Sequence, residues 1–287
     1  MKNTIKNILI ITVLILLFIK RPFLINSIIN GLDIFKTKIF PSIFPIMIIS
    51  DLLLSSNLIT IISNLFGKIF TKVFKVSKYA SYVFIMSFFS GCPTNAKYIK
   101  DLLNNKVINE KEAIKILSMT MLYNPLLILN ISPLNKKDTI YLLMINLLSN
   151  ILIGIINRNY YIKESNYLIK SKDFNLIESI SNSINTLLLI LGSIITFISL
   201  NSILPIKHPL ISGILEITNG IYLIKTVSIY KYKLIFTSIL LSFGGLSILY
   251  QIKSIFKDTN IDYTLYYKSR IIHLLLMLLL TYIKIII

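Results

Sequence analysis

Two short segments combine residues that bend the backbone with polar residues that follow at helical spacing. They interrupt apolar runs at Ser90-Gly91-Cys92-Pro93-Thr94-Asn95 and at Ser242-Phe243-Gly244-Gly245. Glycine lets the backbone turn and approach a ligand closely, and a proline stops the helix before it. A helix that starts at such a break presents unpaired N–H groups and a partial positive charge. We therefore expect two helix starts that face each other and form an anion site.

Polar side chains around the two breaks are candidates for the same site. Thr94 or Asn95 is expected to cap the first helix start. Lys97, Gln251 and Arg270 are expected to add hydrogen-bond donors. The predicted substrate-binding residues are Ser90, Gly91, Pro93, Thr94, Asn95, Lys97, Asn124, Glu216, Asn219, Gly244, Gly245, Ser247, Gln251 and Arg270. The alternative is that the glycines and prolines serve only helix packing and kinks.

Two acidic residues, Asp51 and Glu216, stand in long apolar runs. An ionised carboxylate inside lipid is costly unless it is paired or hydrated, so a function is expected for each. Either they bind a coupling cation or a proton, or they pair with Lys97 or Arg270. The alternative for Asp51 is that it lies near a helix end and reaches water.

The elements that carry these residues are long and apolar enough to lie in a membrane. Hydrophobic residues make up 55% of the 287 residues, and the mean hydropathy is +0.76. Open β structure would leave edge amides unpaired in lipid, and the apolar runs do not alternate as barrel strands do. The sequence therefore predicts an all-α, polytopic integral membrane protein. We expect about eight membrane-embedded helices, with two broken or re-entrant segments in a two-fold internal repeat.

The chain divides near its middle, at its least apolar stretch. The predicted parts are an N-terminal transmembrane helix at 1–22, a first repeat at 23–156, a basic cytoplasmic linker at 157–183 and a second repeat at 184–287. Gly91 and Gly245 lie 245 − 91 = 154 residues apart, and each precedes a short helix with a polar face. Interrupted apolar segments at matching places in two halves are typical of a transporter binding site.

Prolines mark further expected boundaries. Pro41 and Pro45 are expected in the first turn of a new helix, where a missing N–H costs nothing. Asn124-Pro125 either lines a solute path or only kinks its helix.

The formal net charge of +18 has two readings. It attracts an anionic solute or anionic lipid, or it follows from a composition rich in Lys, Ile and Asn. The lysines are scattered, so nucleic-acid binding is not indicated. The single Cys92 excludes an internal disulfide, and His208 and His273 have no further ligand at metal spacing. We predict no cofactor, no metal and no enzymatic activity, and we leave the oligomeric state open.

Six short motifs occur together in one order along the chain. They are Phe40-Pro41-Ser42-x-x-Pro45, Ser90-Gly91-x-Pro93-x-x-Ala96-Lys97, Asn124-Pro125, Glu216-x-Thr218-Asn219-Gly220, Ser242-Phe243-Gly244-Gly245-Leu246-Ser247 and Lys268-x-Arg270-x-x-His273. This ordered set resembles the YlbJ-type sporulation integral membrane proteins, which carry a nucleoside-recognition Gate domain. The resemblance covers roughly residues 25–287. In this chain Cys92 stands where an aromatic residue is expected.

The resemblance implies a protein of spore formation that moves dipicolinic acid (pyridine-2,6-dicarboxylate) from the mother cell across the outer forespore membrane. This dianion suits two helix N-termini and a basic side chain. Two other interpretations stay open. One is a structural or signalling membrane protein of sporulation that acts through the 157–183 loop. The other is a carrier of nucleosides, suggested by the name of the domain.

Overall fold

The computed structural model describes residues 2–55, 58–161, 175–204 and 208–286, and within these ranges the chain is helical with no strand. This confirms the all-α prediction. The helices are α1 Lys2–Ile19, α2 Arg21–Ile34, α3 Phe40–Ser55, α4 Leu58–Ile69, α5 Ala80–Ser90, α6 Thr94–Asn104, α7 Glu110–Met119, α8 Pro125–Ile131, α9 Lys136–Ile156, α10 Leu176–Ile203, α11 Pro209–Leu215, α12 Ile217–Leu223, α13 Tyr230–Phe243, α14 Gly245–Ile255 and α15 Thr264–Ile286.

Four segments of the described chain are long and apolar enough to cross a membrane. They are α9, α10, α13 together with α14, and α15. The shorter helix α5 is also apolar. Most of the predicted linker, residues 162–174, lies outside the described residues. Helix α10 starts already at Leu176, inside the predicted linker, because Asn175 caps it by accepting hydrogen bonds from the amides of Ile177 and Glu178.

Contacts between distant parts of the chain define two ends of the helix bundle. At one end, Asp138 accepts a hydrogen bond from the Tyr230 hydroxyl and pairs with Lys284. At the other end, the amide of Asn260 donates to Glu110 over 2.8 Å. We call these the Asp138 end and the Glu110 end. Helix α15 begins shortly after Asn260 and contains Lys284 in its last turn, so it runs from one end to the other.

Helices α5 and α6 form a hairpin that enters from the Glu110 end and returns to it. The rings of Tyr82 and Tyr98 lie 6.0 Å apart across the hairpin. The amide of Ser77, just before α5, donates to Glu112, and α6 ends at Asn104, shortly before α7. We call this element hairpin A, and its tip is residues 91–93.

Helices α11 and α12 form a second hairpin, which enters from the opposite end. A Cβ atom added to Gly220 would lie 2.3 Å from the Cα of Gly213, whereas seven residues span about 10 Å along a continuous helix. The chain therefore folds back at Glu216. Soon after α12 it reaches Tyr230 at the Asp138 end. We call this element hairpin B.

Two of the segments that connect the ends are themselves interrupted. Residues 120–124 separate α7 from α8 without helical structure, and Gly244 separates α13 from α14 at φ +86°. The predicted breaks near Gly91 and Gly245 are both present. They differ in kind, because Gly91 lies at the tip of a hairpin and Gly245 lies within a segment that runs between the ends. Hairpin B, not the Gly245 break, is the counterpart of hairpin A.

The predicted first-turn position is confirmed for Pro41, the second residue of α3, and is wrong for Pro45. Helical structure is continuous from Arg21 to Ser55, and a π-helical turn at Phe35–Ile39 joins α2 to α3. Pro45 lies inside α3. A π turn shifts the backbone hydrogen bonds by one residue, which lets a helix tolerate a missing amide nearby without ending.

Helices α2, α3 and α10 pack on one another as a scaffold beside the two hairpins. Its apolar contact is a cluster separate from the main core, formed by Ile39, Ile43, Met47, Leu187, Ile190, Ile194 and Ile198. The main core joins α5 to α9 with α12 to α15. A scaffold and a hairpin unit with separate apolar cores meet along one boundary.

We expect Gly220→Ala to destabilise the protein by about 1–3 kcal/mol, because the new methyl group would overlap the backbone at Gly213. The measurement is thermal unfolding of the purified protein in detergent. Gly192→Ala is the matched control, since nothing lies within 4 Å of a Cβ atom at Gly192 in α10. Equal melting temperatures for the two variants would contradict the hairpin crossing.

Candidate functional site

A cavity lies where the scaffold meets the tips of both hairpins. Most of its wall is isoleucine from the scaffold, α8, α12 and α14. Its polar lining is Cys92, Tyr123, Glu216, Thr218, Ser247 and Gln251. The volume of about 40 Å³ suffices for a few water molecules, and organic ligands occupy pockets of about 300 Å³ or more. An organic solute therefore requires the hairpins to move apart.

The tip of hairpin A docks onto the non-helical segment 120–124. The amide of Cys92 donates to the carbonyl of Leu122 over 2.8 Å. Gly91 has φ +78°, and a Cβ atom there would lie 2.5 Å from the amide nitrogen of Asn124. Only glycine suits both the backbone conformation and this close approach. The predicted role of Gly91 in bending the chain is confirmed, and its neighbour is the protein backbone.

The start of α6 differs from the predicted cap. Pro93 occupies the N-cap position, and Asn95 donates instead to the carbonyl of Thr120 over 3.0 Å. Ser90 bonds back to the carbonyl of Met86 within α5. The Thr94 hydroxyl is buried and has no hydrogen-bond partner among the described residues. Thr94 and Asn95 do not cap α6, because Pro93 takes the N-cap position and both polar residues then lie within the helix.

Asn124 caps a helix instead of kinking one. Its side-chain oxygen accepts a hydrogen bond from the amide of Leu127 over 2.9 Å, and Pro125 takes the first position of α8. The preceding residue, Tyr123, lines the cavity, and its hydroxyl lies 3.2 Å from the position of a Cβ atom on Gly244. Tyr123 thus touches both interrupted segments. Its position next to Asn124-Pro125 was the one feature of the sequence that could have pointed to it.

Glu216 forms the tip of hairpin B and is 1% exposed. Its carboxylate accepts hydrogen bonds from the Thr218 hydroxyl (2.5 Å) and from the Asn219 amide (2.7 Å). It therefore caps α12, where a negative charge is favoured by the helix dipole. The start of α12 is occupied by the protein's own carboxylate and is not free for an anion. Asn219 contributes its backbone amide to this cap.

The start of α14 closes the cavity on its remaining side. A Cβ atom on Gly245 would lie 3.0 Å from the carbonyl oxygen of Gly213, so α14 rests against hairpin B. The Ser247 hydroxyl and the side-chain oxygen of Gln251 line the cavity and have no hydrogen-bond partner in the described part of the chain. The Gln251 side-chain nitrogen donates to Ser193 of α10. These unpartnered buried atoms are suited to bind a polar solute.

The two predicted basic donors lie outside the cavity lining. Lys97 pairs with Asp51 at 2.8 Å, and Ser179 of α10 donates to the same carboxylate at 2.8 Å. Pairing with Lys97 was one of the two roles expected for Asp51, and the structure shows it. Arg270 donates to the carbonyl of Ser118 over 2.8 Å. No basic side chain of the described residues lines the cavity, because each lysine or arginine nearby is drawn to an oxygen elsewhere.

Metal ligands are sparse in this region. Within the described ranges, no group of three or more His, Cys, Asp or Glu side chains is placed to hold a metal ion. His273, one of the two histidines, is buried and contacts Asn150 at 3.2 Å.

The chain is similar to the sporulation integral membrane protein YlbJ of Bacillus subtilis (strain 168). The two are 25% identical over 297 aligned positions, which cover 85% of this chain and 73% of the relative. This similarity confirms the resemblance to the YlbJ-type proteins. No family model matches the chain. No solved structure matches it either.

We expect Asp51→Asn or Lys97→Met alone to destabilise the protein by about 2 kcal/mol. Either change leaves one charge without its partner at sites where the side chains are only 16% and 13% exposed. The double variant should lose less stability than the sum of the losses in the two single variants. Thermal unfolding of all three proteins is the measurement. Additive losses would mean that the ion pair contributes nothing to the docking of α6 on the scaffold.

Proposed function

We propose that this protein transports a small organic anion across a membrane during sporulation, and that the anion is dipicolinic acid. One observation carries the proposal. Two hairpins enter from opposite ends of the bundle, and their tips border the same cavity of unpartnered polar atoms. Broken helices around a central site are the common architecture of carriers that alternate between two sides of a membrane.

The two hairpins supply a means of alternating access. Hairpin A covers the cavity from the Glu110 end with Cys92 and Pro93, and hairpin B covers it from the Asp138 end with Glu216 and Thr218. Movement of one hairpin away from the scaffold would open the site toward one end only. The scaffold and the hairpin unit have distinct buried apolar clusters, although Ile46 and Leu53 of α3 also pack against the main core. Movement along this boundary would leave most of each cluster packed.

The cavity lining suits a flat ring with polar ends. Isoleucine side chains, among them Ile43, Ile194 and Ile248, line the cavity and would offer apolar surface to the faces of a pyridine ring. At one side, the first turn of α14 offers backbone amides and the Ser247 hydroxyl to a carboxylate. Arg270 donates to the carbonyl of Ser118, a few residues before Tyr123 in the chain, so its positive charge lies on that side of the bundle.

A nucleoside carrier is the second candidate, because the described cavity lining has one acidic and no basic side chain. Glu216, Thr218 and Gln251 would accept or donate hydrogen bonds to the hydroxyl groups of a neutral sugar. The two candidates differ in net charge, so one uptake experiment distinguishes them.

The cellular setting follows from the relative. Its name places it in sporulation, and we propose that this chain acts in the same process. The membrane in question would be the outer forespore membrane, across which dipicolinic acid passes from mother cell to forespore.

We expect proteoliposomes that contain the protein to take up labelled dipicolinate faster than empty liposomes. Ser247→Ala and Gln251→Ala should each weaken the apparent affinity by up to about tenfold, the effect of one lost hydrogen bond. Gly192→Ala should transport as the natural protein does. Uptake of labelled adenosine in place of dipicolinate would establish the second candidate, and uptake of neither would remove the transport proposal.

The single cysteine offers a test that needs no introduced label site. Cys92 lines the cavity, so a bound solute should block its alkylation by N-ethylmaleimide. At about ten times its Kd, dipicolinate should slow the labelling roughly tenfold by occupancy. Cys92→Ala reports any background labelling. A labelling rate that neither dipicolinate nor adenosine changes would place the solute site elsewhere.

A further inference from the structure

Arg270 is a buried cation in the second turn of α15. Its side chain is 6% exposed, and the helix around it spans the bundle between the two ends. One terminal nitrogen donates to the carbonyl of Ser118 over 2.8 Å and approaches the side-chain oxygen of Asn150 at 3.5 Å. The Tyr266 ring lies 5.6 Å from the guanidinium. Each of these contacts is with a neutral group.

No carboxylate of the described residues forms an ion pair with Arg270. Lys97 and Lys284, by contrast, are paired with Asp51 and Asp138. Taking a guanidinium out of water without a counter-charge is costly, and neutral carbonyl groups offset that cost only in part. The Nε atom of Arg270 also has no hydrogen-bond partner in the described part of the chain.

The helix that faces Arg270 carries further unpartnered donors. On α9, the side-chain nitrogen of Asn146 and the hydroxyl of Ser149 are fully buried and have no partner among the described residues. Asn150 lies on the same helix and contacts both Arg270 and His273. Among the described residues, the Tyr266 hydroxyl has the Met121 sulfur as an acceptor, at 3.8 Å. A buried cation that packs against a helix with unpartnered donors has the chemistry of an anion site.

We propose that Arg270, with donors from α9 and α15, binds a small anion of the halide or carboxylate type next to hairpin A. The anion would neutralise the charge of the guanidinium and would accept hydrogen bonds from donors that have no partner among the described residues. Two sources share this chemistry: chloride from solution, and a carboxylate group of the transported solute. The second source rests on the proposed function, and the first does not.

The test uses the full-length protein purified in detergent with isethionate as the only anion. Chloride should raise the melting temperature in a saturable manner, by roughly 3 °C for each tenfold increase above its Kd. Dipicolinate is titrated in the same way, and a competing effect of the two ligands would identify the solute carboxylate as an occupant. The responses should be lost in Arg270→Gln and kept in part in Arg270→Lys.

Lys97→Met is the matched control, because it removes a partly buried cation that already has a carboxylate partner. Its response to chloride should equal that of the natural protein. If Arg270→Gln does not fold, equilibrium dialysis of the natural protein against radioactive chloride should find about one ion per chain. A melting temperature that neither anion changes, or an unaltered response in Arg270→Gln, would overturn the proposal. Because the measurement needs no transport, a carrier that proves inactive in liposomes leaves it intact.

Discussion

The structure depends on one requirement: a backbone that leaves helical form inside an apolar bundle must find new partners for its amides and carbonyls. The interrupted segments meet this requirement by bonding to one another. Cys92 of hairpin A donates to the carbonyl of Leu122, and Asn95 donates to that of Thr120. Asn150 of α9 donates to the carbonyl of Met121 over 3.1 Å. The non-helical segment 120–124 is therefore held from both sides, and it brings Tyr123 to the cavity.

The same requirement explains how the helix starts are used. Asn124 caps α8 and Glu216 caps α12, so two of the amide ends that face the interior are already satisfied by side chains. The start of α14 follows Gly244, which offers no side chain to do this. Polar residues of both hairpins and of segment 120–124 also line the cavity, but the unpartnered side-chain atoms of its described lining are both on α14, namely the Ser247 hydroxyl and the Gln251 oxygen.

Charge is distributed by a related rule, since each buried charge needs a partner in a medium of low dielectric constant. Lys97 meets Asp51 and ties hairpin A to α3, and Ser179 extends this contact to the scaffold helix α10. Arg270 pairs with no acid of the described residues and donates instead to the carbonyl of Ser118. The net charge of +18 therefore says little about the site. The position of the Arg270 guanidinium, which has no carboxylate partner among the described residues, is more informative about anion binding.

The sequence by itself determined the helical membrane class, the resemblance to the YlbJ-type proteins and the places where helices break. These features follow from apolar block length and from glycine and proline, whose effects are local. Only the tertiary structure decided that Glu216 turns a hairpin, that the Gly91 and Gly245 breaks differ in kind, and that Tyr123 and isoleucines of the scaffold line the cavity. It also decided that Lys97 pairs with Asp51 and lies outside the cavity. The physical reason is that glycine and proline interrupt a helix in the same way whether the chain then continues to the other end of the bundle or folds back, so the residues at the break do not distinguish the two cases. Direction and pairing are set by contacts between residues far apart in sequence.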